Sequence, residues 1–423
     1  MANKANPVTA CVGGDLGRAG DGISGIGGRT DPAYATREGT AYALTSGGVL
    51  KTGWLDAYAR VPREAFLSDT IWPFDSATGT TVHVSRAENP DVWRGYASAD
   101  VPIVTQWDDG QHAGRDPGHM PTSSASMPSV VFRMLDALTV DDYCRVLEIG
   151  TGTGWNAALL AHKVGEGNVV SVEVDEEVAL RARRALDHFF GAPVEVVHGD
   201  GRAGAPAHGP FDRVIATCGV RGIPYPWVTQ TRPGGLIVVP WGMGFTHADG
   251  LLRLRVEADG ESASGRFIGP VEFMKLRAHR AAPIDHDAYA PQLPDVSPSL
   301  DSCEAARALA HTDRFGALLF ALGLHVRDCT YVAASKQQGT QPHWFYSRTD
   351  QSWACVLTTD DEETSRIWQH GPRRLWDDIR AAHDWWVSRG RPGWERFGLT
   401  VSGAGEERVW LDEVGNVVGP GIG

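Results

Sequence analysis

The stretch from residue 146 to 161, VLEIGTGTGWNAALLA, constrains the fold more than any other part of the chain. It joins an apolar strand to an alanine-rich helix through a turn with glycine at positions 150, 152 and 154. Because glycine has no Cβ, a ligand can lie against the backbone of such a turn while helix N–H groups point at it. The stretch therefore predicts a ligand-binding strand–turn–helix unit, although other tight turns also use Gly-x-Gly.

Segments of strand and helix character alternate between residues 144 and 240. The strand segments are CRVLEIG, NVVSVEV, VEVVHGD, FDRVIATCG and GGLIVVP, and the helical segments are TGWNAALLAHKVG and DEEVALRARRALDHFF. This alternation predicts right-handed βαβ crossovers and a parallel sheet covered on both faces, followed by a further strand pair, LLRLRVEA and GRFIGPVEFMKL. Ligands of such sheets bind beyond the carboxyl ends of the strands.

The length of 423 residues favours more than one domain. We expect a Gly-rich, flexible arm over residues 1–45, a catalytic domain over 46–280 and a smaller, Trp-rich α+β domain over 281–423 that recognises the substrate. Eight of the fifteen tryptophans follow residue 340. Such a density serves either a hydrophobic core or a peptide-binding face, and core filling is the expectation for most of them.

The formal net charge of -13 argues against nucleic acid or an anionic membrane surface as a partner. No apolar run approaches the roughly 20 residues that span a bilayer, and the N-terminus does not resemble a signal peptide, so a cytoplasmic protein is expected. The six cysteines are far apart, which indicates neither disulfides nor zinc. His112, Asp116 and His119 have metal-ligand spacing, but a solvated loop is the favoured interpretation, so no metal site is predicted.

Acidic residues stand at the ends of three successive strands: Glu148, Glu173 and Asp200. Glu173 suits the two hydroxyls of a ribose, and Asp200 suits the amino group of an adenine for which Gly201 leaves room. A carboxylate beside the turn disfavours a pyrophosphate but suits a positively charged cofactor, which favours S-adenosylmethionine over NAD. Alternatively, Glu148 is a buried partner of the turn and Asp200 caps the following helix.

The segments EIGTGTGW, SVEVD, GDGR, PFDRVIATCG and RPGGLIVVPWG follow one another as they do in protein-L-isoaspartate O-methyltransferases. The chain resembles this family over roughly residues 50–245, including VPREAF and TSSASMPSVVFRML upstream. The resemblance implies an α/β, Rossmann-like S-adenosylmethionine-dependent methyltransferase domain beside the smaller α+β domain. The ending FGLTVSGAGEERVWLD is similar to the C-terminal extension of homologues associated with ribosomally made, modified peptides such as lanthipeptides and graspetides.

The resemblance also implies roles for individual residues. Those expected to hold S-adenosylmethionine are Glu148, Gly150, Thr151, Gly152, Gly154, Trp155, Glu173, Asp200 and Gly201. Ser126, in the Ser-x-Pro position of ASMP, would face the substrate carboxylate, with Ser124 and Thr122 on the same approach. On sequence alone, a capping hydroxyl before the next helix is the slightly favoured role for Ser126, and the resemblance reverses this order. Trp155 departs from the family pattern, which usually has Tyr after the glycine turn.

An Asp carboxylate, with a reference pKa of about 3.9, is already an ionised nucleophile and needs no general base. The enzyme must therefore mainly orient the reactants and exclude water, a task that a serine hydroxyl suits. The expected reaction is esterification of an Asp side chain in a modified, macrocyclic ribosomal peptide, leading through a succinimide to isoaspartate. The alternatives are general isoaspartyl repair, methylation of a small molecule and a non-catalytic peptide-binding scaffold.

Overall fold

The structure is a computed structural model that describes residues 31–75, 79–191, 194–290, 297–302, 304–360 and 363–419. Its strands are β1 (Thr70–Asp75), β2 (Thr80–Thr81), β3 (Val84–Ser85), β4 (Ile103–Trp107), β5 (Pro121–Ala125), β6 (Val146–Ile149), β7 (Val169–Glu173), β8 (Glu195–His198), β9 (Phe211–Ala216), β10 (Thr231–Trp241), β11 (Asp249–Val256), β12 (Ala263–Val271), β13 (Ser299–Asp301), β14 (Cys329–Ala333), β15 (Thr340–Ser347), β16 (Trp353–Thr359), β17 (Ser365–His370), β18 (Phe397–Ser402) and β19 (Glu406–Leu411). Its α-helices are α1 (Arg37–Ser46), α2 (Thr52–Arg60), α3 (Pro90–Ser98), α4 (Pro128–Leu138), α5 (Trp155–Val164), α6 (Glu176–Phe190), α7 (Tyr225–Thr229), α8 (His286–Tyr289), α9 (Glu304–Ala310), α10 (Ala317–His325) and α11 (Leu375–Ser388).

The central sheet has nine strands in the order β19-β18-β12-β11-β10-β9-β6-β7-β8. Strands β8, β7, β6, β9 and β10 run parallel, and the others pair antiparallel. Both faces are covered, since Leu147 and Ile149 enter one hydrophobic core while Val146 enters the other. The predicted α/β fold with a parallel sheet is confirmed, and the carboxyl ends of β6, β7 and β9 meet at one edge.

A second, antiparallel sheet precedes the central one and contains β2, β1, β4 and β5, with β3 paired to β1. Its core includes Ile71, Trp93 and Ile103, each with 0% of its surface exposed. This sheet was not predicted, because its strands are short and their polar and apolar residues do not alternate regularly. It matters for the site because β5 carries the serine-rich segment to the glycine turn.

The residues expected to form a flexible arm, 1–45, lie only partly within the described chain, because residues 1–30 are outside it. Residues 31–45 differ from the expectation: they contain a 3-10 turn and most of α1. Leu44 is 5% exposed and packs in the same core as Leu50 and Trp54. The helical spacing of REGTAYALTS was hidden by the glycine-rich composition of the sequence that precedes it.

The C-terminal part of the chain forms a five-stranded antiparallel sheet, β13-β17-β16-β15-β14, with α9, α10 and α11 in its hydrophobic core. The stretch AARALAHTDRFGALLFALGL falls in two helices, α9 and α10, with a break between them. We call residues 299–388 the inserted unit, because the chain afterwards returns to the central sheet as β18 and β19. Phe397 and Leu399 are 0% exposed in the same core as β11 and β12.

Several tryptophans of this region fill cores, as expected. They are Trp353 (2% exposed), Trp376 (2%), Trp394 (8%) and Trp410 (4%). Among the described residues, no helix combines the length and the apolar composition that crossing a membrane requires.

Candidate cofactor and substrate site

The glycine turn after β6 has a left-handed backbone at three positions: φ is +93° at Gly150, +55° at Gly152 and +90° at Gly154. Only glycine adopts these values without strain. A Cβ built on Gly150 would lie 2.9 Å from Thr217 Oγ1, and one on Gly152 would lie 3.4 Å from the carbonyl oxygen of Ser124. At Gly152 the turn therefore packs against β5, and a cavity beside this contact is lined by both segments.

Glu173 ends β7 at this cavity and is 9% exposed. Its Oε2 accepts a hydrogen bond from the N–H of Gly152 at 2.9 Å, and its Oε1 accepts one from Asp175 at 3.1 Å. Each carboxylate oxygen can accept a further hydrogen bond, as the two hydroxyls of a ribose require. Glu173 therefore fits the ribose of S-adenosylmethionine, and the turn supplies the close backbone approach.

Glu148 lies behind the turn, 0% exposed, and does not line the cavity. Its carboxylate accepts hydrogen bonds from Asn156 Nδ2 at 2.7 Å and from the hydroxyl of Ser171. Burial raises its pKa to about 7. The side chain braces the turn from within the sheet, and its predicted contact with the cofactor stays a prediction. Thr151 joins the same network, with its Oγ1 2.6 Å from the Ser171 hydroxyl.

Asp200, which is predicted to bind the adenine, is exposed and bonds to Arg202. Its Oδ1 accepts the backbone N–H of Arg202 at 2.9 Å, and its Oδ2 pairs with the Arg202 guanidinium at 2.7 Å. These hydrogen bonds hold the pKa of Asp200 below its ordinary value. The residue thus caps the following turn, whereas its neighbour Gly201 does line the cavity. A Cβ on Gly201 would lie 2.6 Å from Ile149 Cγ2, so glycine is required there for packing.

The serine-rich segment, residues 122–126, forms the wall of the cavity opposite the turn. Helix α4 begins at Pro128 with Met127 as its N-cap, so Ser126 is not the capping residue. Within the described chain, the hydroxyls of Ser124 and Ser126 have no hydrogen-bond partner. Both side chains are therefore free to bind a substrate group, whereas the buried Ser123 accepts a hydrogen bond from Thr105 Oγ1 at 3.2 Å.

Arg63, in the VPREAF stretch, holds the serine-rich segment in place and was missed by the sequence analysis. Its guanidinium donates to the carbonyl oxygens of Ala99 (3.2 Å), Val101 (3.0 Å), Ala125 (2.8 Å) and Ser126 (2.9 Å). Burial lowers the pKa of Arg63 to about 10. An arginine between Pro62 and a short apolar run was the available signal, but its hydrogen-bond partners come from two distant segments.

Trp155 begins α5 and is 3% exposed. Its Nε1 donates to the carbonyl of Val61 at 3.1 Å, and its ring meets Phe132 edge-on at 6.2 Å. It lines the cavity, and its face lies 5.6 Å from Arg63 Cζ. The Trp155 ring, which is larger than the Tyr usual in the family, therefore helps to position Arg63. Through Arg63 it also helps to position the serine-rich segment.

Residues 273–280 form the outer wall of the cavity and supply cations that the sequence analysis did not single out. Arg277 pairs with Asp109 at 2.9 Å and with Asp175 at 3.0 Å, and Arg280 pairs with Asp109 at 2.9 Å. These ion pairs connect the loop after β4 to the N-terminus of α6. They join the two sides of the cavity mouth.

The parallel sheet, the glycine turn and the strand-end carboxylate define a Rossmann-like, S-adenosylmethionine-dependent methyltransferase. A solved structure described as a protein-L-isoaspartate O-methyltransferase has the same fold, with a TM-score of 0.51 and 22% identity over 89% of this chain and 100% of that one. Residues 105–279 match the family described as protein-L-isoaspartate(D-aspartate) O-methyltransferase.

Two relatives carry the same name. The chain is 32% identical to protein-L-isoaspartate O-methyltransferase 1 of a Polaromonas species over 240 residues, which are 56% of this chain and 84% of the relative. It is 33% identical to the Thermotoga maritima protein over 185 residues, 44% of this chain, and spans only about half (49%) of that relative. The chain belongs to the protein-L-isoaspartate O-methyltransferase family, which confirms the resemblance. The family match ends before the inserted unit.

Proposed function

We propose that this protein transfers a methyl group from S-adenosylmethionine to the side-chain carboxylate of an Asp in a modified, macrocyclic ribosomal peptide. The observation that carries the proposal is the pair of unpartnered hydroxyls, Ser124 and Ser126, opposite the glycine turn. A carboxylate bound there lies next to a cofactor whose ribose is held by Glu173. The names of the family relatives, all carboxyl methyltransferases, support this reaction class.

The bound cofactor supplies an electrophilic methyl group. The Ser126 hydroxyl donates a hydrogen bond to one oxygen of the substrate carboxylate and leaves the other oxygen free to attack. Arg63 holds the Ser126 carbonyl, so the hydroxyl keeps its position through the reaction. The wall of residues 273–280 excludes water. Positioning of this kind contributes on the order of 7 to 11 kcal/mol to lowering a barrier.

The ester then reacts within the peptide. The backbone nitrogen of the residue after the esterified Asp attacks the ester carbonyl, methanol leaves with the amide proton, and a succinimide ring forms. Water opens the ring at either carbonyl, which yields Asp or isoaspartate. Starting from Asp, this route installs the imide or isoaspartate, whereas in repair it starts from isoaspartate.

The position and the aromatic residues of the inserted unit support the proposal that the substrate is one particular peptide. The ring of Phe245, in the loop after β10, stacks on Tyr331 of β14 at 5.9 Å, and the N–H of Tyr331 donates to the Phe245 carbonyl at 2.7 Å. These contacts hold the unit at the edge of the central sheet where the cavity lies. Its partly buried Trp344 and Trp368 pack outside the helix-covered core and offer aromatic surface to a peptide.

The test compares a linear isoaspartyl hexapeptide with the modified peptide from any neighbouring biosynthetic genes, using mass spectrometry to detect a methyl gain followed by loss of methanol. Methylation of the modified peptide at an Asp supports the proposal. Methylation of the hexapeptide alone establishes the repair reaction instead. Binding of a peptide without any methyl transfer establishes the non-catalytic peptide-binding scaffold.

A point variant is the appropriate way to test the inserted unit, because truncation near residue 281 would also remove β18 and β19 from the central sheet. Trp368→Ala should raise the KM for the modified peptide and leave the affinity for S-adenosylmethionine unchanged. The exposed Tyr143→Ala is the control, since Tyr143 is 83% exposed and lies before β6. Equal kinetics for both variants would remove Trp368 from substrate binding.

A further inference from the structure

Positively charged side chains gather where the cofactor cavity adjoins the inserted unit. Arg221 follows β9, Lys275 follows β12 and Arg348 follows β15, and we call these three residues the cationic junction. Lys275 Nζ bonds to Asp249 Oδ1, a carboxylate that is 0% exposed. Arg221 acts electrostatically both on Asp249 and on Arg348, whose pKa is lowered by burial and by this neighbouring charge. Two cations, Lys275 and Arg221, thus act on the Asp249 carboxylate, and Arg348 adds a third positive charge close to Arg221.

Arg221 is the member of the junction without a partner. Its backbone N–H donates to His279 Nδ1 at 3.2 Å, but among the residues that the structure describes no acceptor contacts its guanidinium. Nε is buried and unpartnered. The guanidinium lies over Gly244, where a built Cβ would be 2.7 Å from Nη1 and 2.9 Å from Nη2. Because a buried donor without an acceptor is costly, such a group is prepared for an anion supplied by a ligand.

The junction is continuous with the cofactor cavity. Cys218 and Lys275 line the cavity, and the intervening Gly219 packs on the ion pair: a Cβ there would lie 2.6 Å from Asp249 Oδ2 and 3.0 Å from Lys275 Nζ. Arg221 is three residues beyond Cys218 and partly exposed. A peptide that places one residue at the serine-rich segment can therefore extend past Lys275 towards Arg221 and the inserted unit.

We propose that the cationic junction binds a second carboxylate of the peptide substrate, distinct from the carboxylate that is methylated. A guanidinium binds a carboxylate through two parallel hydrogen bonds, which gives orientation as well as affinity. Binding at Arg221 would fix the direction of the peptide and so select which residue reaches Ser126. The inference rests on the proposed function. The second carboxylate is either an acidic side chain or the C-terminal carboxylate, which share this chemistry.

The test uses three isoaspartyl hexapeptides: one with Glu after the isoaspartate and an amidated C-terminus, its amidated Gln counterpart, and the Gln peptide with a free C-terminus. Calorimetry measures their binding to the wild type and to Arg221→Gln in the presence of S-adenosylhomocysteine, so no turnover is needed. We expect the wild type to bind at least one peptide with a second carboxylate about tenfold more tightly than the neutral peptide. The peptide that binds more tightly than the amidated Gln peptide shows whether the second carboxylate is an acidic side chain or the C-terminus.

Arg221→Gln should abolish this preference, and Arg221→Lys, which keeps the charge, should retain part of it. Arg232→Gln is the matched control, because Arg232 pairs with Asp212 at 2.6 Å where β10 begins, at the opposite edge of the sheet. A substitution that merely damaged the structure would weaken the binding of all three peptides equally. The proposal is overturned if the wild type fails to distinguish charged from neutral peptides, or if Arg221→Gln keeps the preference. A preference of this kind, together with no methyl transfer to the modified peptide, would leave the junction in place and refute the proposed function.

Discussion

Replacing Glu148 by Gln isolates the effect of one buried carboxyl group on stability. Burial raises the pKa of this group from an ordinary 4.5 to about 7. The folded protein therefore holds a proton that the unfolded chain has released, and the free energy of unfolding falls as pH rises from about 4.5 to about 7. A pKa difference of about 2.5 corresponds to about 3 kcal/mol. Below pH 4.5 this contribution to stability is fully present, and above pH 7 it is lost.

Gln is neutral at every pH and keeps a hydrogen-bonding amide beside Asn156 and Ser171. We expect Glu148→Gln to match the wild type near pH 5 and to gain up to about 3 kcal/mol over it by pH 8. Urea unfolding, followed by tryptophan fluorescence between pH 5 and pH 8, measures the difference directly. The exposed Glu176→Gln, at the start of α6, is the control and should show no such trend. A difference between Glu148→Gln and the wild type that does not change with pH would refute the reasoning.

Three further variants test the site. Glu173→Gln should raise the Kd for S-adenosylmethionine by about tenfold or more, since a charge-assisted hydrogen bond is weakened, and unchanged calorimetric affinity would contradict the ribose role. Ser126→Ala should lower kcat by about tenfold and spare cofactor binding, whereas equal turnover would remove the hydroxyl from the mechanism. Arg63→Lys cannot reach all four carbonyls, so we expect a loss of about 1–3 kcal/mol in urea unfolding together with a lower kcat at unchanged KM; full activity would show that the serine-rich segment holds its position without Arg63.

The strand, glycine turn and helix of residues 146–161 could be predicted from the sequence alone. Their apolar runs and glycines are local features, and each has a direct physical consequence within a few residues. The same holds for Glu173, because a residue at the end of a parallel strand must lie at the ligand edge of the sheet. Family resemblance added Ser124 and Ser126, which local pattern alone could not separate from capping residues.

Only the tertiary structure decided which strand-end acids face the cavity. Glu148 lies one residue before the end of β6 and Glu173 ends β7, but Glu148 faces the interior, where Asn156 and Ser171 satisfy it. Arg63 and Arg221 owe their surroundings to segments far away in the chain, and the return of β18 to the edge of β12 joins residues more than a hundred positions apart. Pairing of that kind depends on the edge that the folded sheet leaves open, which no local sequence pattern records.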